Sequence, residues 1–584
     1  LGMEPTKLDS LDNTPDPGPN QSPSSFGVRS PLPNFLVLVA CLLGLLLLVD
    51  SIRATSATYD EAIYLTIASS WWQTGEQATI SRIGSPLLFW KIQQAPLFWI
   101  LERTGYQHWV QNPIKYQSQL LPLARLGSLW IWFLTWGLTV YWARRLYGPW
   151  AMACAAFLFA LSPNLLGHAA LITMEMPITA CATGMFLLFW IFLITGDRRY
   201  FWMTAVLGGL AWSCKYTTVI IPPMLALTWW IDRYRQGERN PIELTWRVTR
   251  AFIAFLLIMG FSNLVLTGFA FLPLSGSDGG HTRIKRLVGE PLRHWVDPVL
   301  AMRAPQELVG FANQLYRQRL GGSSYLLGER RMHGWWYYYF IALAVKVPLA
   351  FWLLFLGRSI LRKSIPIRAN ARVWMLPALV LVFMFITALG SSRNYGIRYL
   401  LPLTPLSIVW VSGLAEARGM GRFATIVGLG GYAVAIAGIH PFELTYFNEA
   451  AGGPKSGRYI LSDSNLDWGQ GLRTLARLQQ DVPKFQDLTL YYFGATDPRH
   501  YDIAGTKYLI TAVETPPELP DRLEAKTEFL AVSASLQWGP WGPEGYFRPL
   551  DGLVPIAMTN DQTIAIYRTN DLPSHAFAQK PATD

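Results

Sequence analysis

Apolar residues along this chain come in long blocks rather than in alternation. The first, Phe35 to Val49, is an almost unbroken run of Leu and Val with small residues between them. Ten more follow, at about 126–142, 149–162, 177–195, 201–214, 217–231, 251–272, 336–356, 373–390, 400–414 and 423–439. Each is near the length at which an α-helix crosses about 30 Å of hydrocarbon. The pattern predicts an α-helical polytopic membrane protein of about eleven spans. Within it, 201–231 is interrupted by Lys215 and by Pro222-Pro223. The long polar stretch ahead of Phe35 makes the first block an uncleaved anchor rather than a signal peptide.

Three domains follow from the pattern. Residues 1–33, rich in Pro, Ser, Asn and Asp, cannot bury a core and read as a disordered cytoplasmic tail. Residues 34–439 form the membrane module. From 440 to 584 the period changes: Leu488–Phe493, Lys507–Val513 and Thr563–Tyr567 are strand-like, and a helical run follows Trp468. That predicts a small extracytoplasmic α/β domain.

Composition agrees. Of 584 residues, 51% are hydrophobic and 15% charged, against about 25% charged in a soluble protein. A disordered, collagen-like or disulfide-scaffold protein is excluded, and the composition argues against a soluble multidomain enzyme. The net charge of +11 does not point to nucleic acid, because the basic residues sit between apolar blocks. Arg144-Arg145, Arg198-Arg199, Arg233 to Arg250, Arg358 to Arg372, and Arg418 with Arg422 mark one side. By the positive-inside rule these loops and the N-terminus are cytoplasmic, and the tail is outside. Two further outer loops are expected, 52–125 and 273–335. The first contains two amphipathic stretches, Glu61 to Trp72 and Pro86 to Leu101, of the kind that lie in a membrane interface. Cys41, Cys154, Cys181 and Cys214 lack metal-type spacing and read as buried small residues.

The candidate chemistry gathers on the outer side. Asp60 and Glu61 follow the first span; Asp60 is either the cap of the Glu61 helix or a carboxylate base. His168 and Glu175 are seven residues apart, on one face if a single helix carries both. Lys215 either snorkels to headgroups or binds a lipid phosphate. Arg393, Tyr395 and Arg398 stand in Ser391-Ser392-Arg393-Asn394-Tyr395-Gly396-Ile397-Arg398, where outer cations suit an anionic ligand. Asp463-Ser464-Asn465-Leu466-Asp467 imitates a calcium loop, but its glycine comes one place late and no Glu closes it. A capped helix start at Asp467 is the simpler reading.

Taken together these motifs resemble the GT-C superfamily of integral-membrane glycosyltransferases, over nearly the whole chain after residue 33. They are most similar to the bacterial branch related to protein O-mannosyltransferases and the lipid A aminoarabinose transferase. The segment from His440 through Asp463-Ser-Asn-Leu-Asp-Trp-Gly-Gln looks like a lipid-carrier-dependent subgroup. The resemblance implies a polyprenyl-phosphate sugar donor, an acceptor protein, lipid or glycan, and inverting transfer outside the bacterial inner membrane. It implies catalytic roles for Asp60, Glu61 and Glu175, the last standing where relatives usually have Asp. Lys215, Arg393, Tyr395 and Arg398 would hold the donor phosphate. Some GT-C enzymes use a divalent metal and others none; here His168 and Glu175 would be its ligands or line an acceptor site. A transporter or flippase of lipid-linked sugars is the alternative, though such folds usually show internal repeats, which this chain lacks. A membrane-anchored carbohydrate-binding protein is a further one.

Overall fold

The computed structural model describes residues 31–75, 88–274, 298–299, 301–367, 371–511, 519–520, 523–524 and 526–572. Every apolar block carries a helix. Among the described residues six helices are long and apolar enough to cross a membrane, or up to eight if each of two bent pairs is one span. Three more helices, Arg198–Cys214, Ile221–Arg235 and Met375–Gly390, stand at other expected spans but have only 17, 15 and 16 residues. The bends lie at 161–162 (58°) and 347–348 (101°). Pro163 and Pro348 stand there, residues that cannot continue a helical hydrogen-bond ladder.

The first span, α1 (Leu32–Ala54), has 23 residues and reaches about 34 Å. It leads into the short helix α2 (Tyr59–Thr74), capped by Thr58: the Thr58 side chain accepts from Glu61 N–H while the Glu61 carboxylate accepts from Thr58 N–H. The cap is therefore Thr58 rather than Asp60, which is left free to point elsewhere. Two other spans occupy the centre of the bundle. They are α4 (Glu175–Thr195) and the segment Ile397–Glu416, each with 78% of its apolar window buried. Pro241–Leu266 and Met420–Ala437 lie outside them with Leu257, Phe261, Ile426 and Val434 exposed, as lipid-facing helices require.

The tail builds a mixed five-stranded sheet: β1 (Leu488–Phe493), β2 (Thr506–Ile510), β3 (Phe529–Ser533), β4 (Ala557–Met558) and β5 (Ile564–Arg568), in the order β2-β1-β3-β5-β4. β1 is parallel to β2 and β3; β5 runs antiparallel to β3 and β4. One face, with Leu490, Tyr492, Ala531 and Ile566, packs under the helix Leu472–Asp481. The alternate residues Tyr491, Phe493, Val532 and Ala565 join the core shared with the helical module. The central strand is thus buried on both faces and reads as continuously apolar.

Sheet and bundle are sewn together near the first loop. Ser56 N–H donates to Gln470 O at 3.0 Å and Tyr59 N–H to Trp468 O at 2.7 Å. Beneath this seam lies an ion pair with no solvent exposure. Arg125, in the helix α3 (Gln117–Leu126), grips Glu61 through Nε at 2.9 Å and an η nitrogen at 2.7 Å. Its remaining hydrogens go to the carbonyls of Ile52, Thr55 and Ser56. Glu61 also accepts from Ile172 N–H. Nearby, His440 lies between Glu443 (2.6 Å) and Asp50 (3.0 Å), joining the start of the tail to α1.

Two predictions come from these contacts. Glu61→Gln leaves a buried arginine uncompensated and should cost about 3–5 kcal/mol, read as a lower thermal midpoint in detergent. The Glu61→Leu/Arg125→Met double variant should recover only part, because three carbonyls lose their donor; a Glu61→Gln protein as stable as wild type would contradict the clamp. The second concerns His440, whose pKa is raised chiefly by its hydrogen bond to Glu443 and further by Asp50. A raised folded pKa stabilises fully below the unfolded value of about 6.5 and is lost as pH climbs through the folded one. The stability gap between wild type and His440→Gln should therefore be wider near pH ~6 than near pH ~9; a gap that does not change counts against it.

Candidate active site

A cleft of about 1080 Å³ opens where the helical module meets the tail, and Asp60, Glu175, Lys215, Arg393, Tyr395 and Arg398 all line it. Their positions follow from helix ends. Glu175 is the first residue of α4, where the positive end of the helix dipole favours a carboxylate. Lys215 is the C-terminal cap of Arg198–Cys214, where a cation is favoured. Arg398 sits in the 3₁₀ turn Ile397–Leu403 that begins the other central span. Asp60 is in the first turn of α2, held in place because its neighbour Glu61 is fixed to Arg125.

Charges alternate across the cleft. Asp60 accepts from an Arg398 η nitrogen at 2.9 Å, and Glu175 from Lys215 Nζ at 2.9 Å. Arg398 also lies 3.8 Å from Glu175, so the two pairs form one network. The guanidinium of Arg398 stands 4.2 Å from the centre of the Trp468 ring, and Lys215 Nζ 4.4 Å from that of Tyr399. These aromatic faces hold the cations where neither can swing into solvent. Burial pushes the Asp60 carboxyl above the usual aspartate value, and the charge of Arg398 pulls it back. Arg393 stacks beside Tyr395, its Nε buried without a hydrogen-bond partner. Lys215, read from sequence as either snorkelling or ligand-binding, is turned inward onto Glu175.

Two candidate residues lie apart from the cleft. Glu61 does not line it; its carboxylate is consumed by Arg125, Thr58 and Ile172, so it has no oxygen to offer a substrate. His168 is buried with its ring 6.3 Å from that of Trp468 and its Nδ1 unpartnered. It does not share a helix with Glu175: the helix Pro163–Ala169 ends before α4 begins. Glu175 is already taken by Lys215. Among the described residues no group of three His, Cys, Asp or Glu could hold a metal ion. The described donors beside His168 and Glu175 do not complete a divalent-cation site.

Sequence reasoning missed Arg125 and Trp541 and gave Asp463 and Trp468 no place in the site. A lone arginine inside Leu120-Leu121-Pro122-Leu123-Ala124-Arg125-Leu126 was the signal for the first, since a cation in an apolar run demands a partner. The Asp463 motif was visible but unplaced. Asp467 does not cap a helix; it accepts from Ser535 N–H at 2.8 Å and Gly469 N–H at 3.0 Å, tying the turn to the sheet.

Three solved structures show low overall similarity to the chain. ArnT from Cupriavidus metallidurans bound to undecaprenyl phosphate has a TM-score of 0.42 at 12% identity, covering 93% of this chain and 99% of that one. The same protein in the apo state gives 0.40 at 12%, covering 91% and 98%. The Archaeoglobus fulgidus oligosaccharyltransferase tethered to an acceptor peptide gives 0.32 at 11%, covering 87% and 70%. No curated protein sequence matches the chain. Residues 97–261 match the family model described as dolichyl-phosphate-mannose-protein mannosyltransferase. Over that segment, less than a third of the chain, the sequence is similar to the protein mannosyltransferases that this model describes.

Proposed function

We propose that this chain is an inverting glycosyltransferase of the bacterial inner membrane, moving a sugar from a polyprenyl-phosphate donor to an acceptor hydroxyl on the extracytoplasmic face. The observation that carries the reading is the paired network of Asp60 with Arg398 and Glu175 with Lys215 in one cleft at the ends of the central helices. Such a site offers cations for a leaving phosphate and a carboxylate for an incoming hydroxyl.

In the reaction, the donor phosphate draws Arg398 and Lys215 toward itself, with Arg393 and Tyr395 alongside. The cations stabilise the charge that grows on the phosphate oxygen as its bond to the anomeric carbon breaks. The acceptor oxygen attacks that carbon from the opposite side. Its proton passes to Asp60, and polyprenyl phosphate leaves with the bonding pair. Displacing Arg398 from Asp60 frees the base as the donor is bound. Glu175 keeps Lys215 aimed into the cleft and takes no proton.

Two measurements test this. Asp60→Asn should fold and bind donor, yet transfer at least about 100-fold more slowly; near-normal turnover would remove Asp60 as base. Lys215→Ala and Arg398→Ala should each weaken donor binding by about 1.5–3 kcal/mol, and unchanged affinity in both would end the phosphate assignment. Sidedness has its own check: alkaline phosphatase joined after Asp571 should be active, whereas an inactive fusion would reverse the orientation.

A further inference from the structure

Asp463 is a buried carboxylate of the cleft that this reaction does not use. It lines the cleft and is only 4% exposed. Its backbone has φ +55°, a left-handed conformation uncommon for any residue but glycine. Backbone strain of that kind persists only where the surroundings over-determine it, and it clusters at ligand-holding positions.

The surroundings do fix it. Ser464 Oγ donates to Tyr395 O, and Asn465 Oδ1 accepts from Ile397 N–H at 3.0 Å. Asn465 Nδ2 donates to the Tyr338 hydroxyl at 2.9 Å, and the Asn465 carbonyl accepts from Lys346 Nζ at 2.6 Å. The turn is thereby bolted to the segment that carries Arg398. Around the carboxylate, Ser464 N–H donates to Oδ1 and Trp541 Nε1 to Oδ2, the latter at 2.9 Å.

The partners distinguish this carboxylate from its neighbours. Asp60 and Glu175 are each paired with a cation. Among the described residues no cation comes within salt-bridge distance of Asp463. Its two neutral N–H donors orient the group and leave lone pairs on both oxygens. An ionised carboxylate in that condition makes short, strong hydrogen bonds to hydroxyl groups. Trp541, which holds it, is itself held, stacked on Phe493 at 5.5 Å between ring centres.

We propose that Asp463 is the sugar-binding residue of the cleft, accepting hydrogen bonds from hydroxyls of the transferred sugar while the cations hold its phosphate. The inference rests on the donor assignment above and adds to it the recognition of a neutral polyhydroxyl ring. Asp463 sets which donor is bound; it does not take part in proton transfer.

The test compares binding of bare undecaprenyl phosphate with undecaprenyl phosphate carrying mannose, glucose, galactose or arabinose, using full-length protein. Asp463→Asn and Asp463→Gly both tolerate the left-handed backbone. For the sugar lipid that wild type prefers, both variants should lose about tenfold or more in affinity. Their affinity for the bare lipid should be unchanged, a contrast that a merely structural turn residue would not produce. Wild-type preference for the sugar lipid in both variants overturns the inference and leaves the donor assignment standing, as does an equal loss for bare and sugar-bearing lipid. A wild-type protein that binds no lipid phosphate, or prefers no sugar lipid over the bare one, fails the donor assignment and takes this inference with it.

Discussion

The buried pair of Arg125 and Glu61 is the constraint on which the cleft depends. A guanidinium without solvent contact must use all its hydrogens, and here they are divided between one carboxylate and three carbonyls at the end of the first span. That requirement fixes the exit of α1, the first turn of α2 and the loop at Ile172 relative to one another. Asp60, one residue before Glu61, inherits its direction from this fixed frame. In return the adjacent carboxylates divide the work. One is spent on structure, the other is turned toward Arg398.

Electrostatics in the cleft follow from the same economy of partners. Two carboxylates and two cations in ion pairs leave that network close to neutral, so helix ends with strong preferences for charge can meet without repulsion. Neutrality achieved by pairing differs from neutrality achieved by absence. An anionic guest of the right shape can take Arg398 from Asp60 and share Lys215 with Glu175, meeting cations that are already in place. Aromatic rings at Trp468 and Tyr399 keep both cations within reach during such an exchange.

Much of this was legible in the sequence, for physical reasons. A helix in hydrocarbon must be apolar along its length, so the blocks announced where helices lie, though three came out too short to count as spans on length. Cations out of place for membrane orientation announced Lys215 and Arg398. Spacing was a poorer guide wherever it assumed an unbroken helix, as the break between His168 and Glu175 illustrates. The cap lies two residues before the one considered, since Thr58 and Asp60 are both good caps and only the reciprocal bond with Glu61 decides between them. The strands Phe529–Ser533 and Ala557–Met558 were missed, the first running straight into the short helix Ala534–Gln537 and the second only two residues long. No local signal reveals that Trp468 would stand over Arg398, since that contact is made by chain closure alone.

The hydrogen bonds from Ser56 to Gln470 and from Tyr59 to Trp468 join parts of the chain more than 400 residues apart. During synthesis the first of each pair exists long before the second. The segment carrying Asp60 is made early and must wait, without its backbone partners, until most of the polypeptide has been translated. Completion of the cleft is thus a late event in the protein's assembly. A chain that stops between Ala437 and Trp468 would hold every helix of the bundle and still lack the backbone partners that close the cleft.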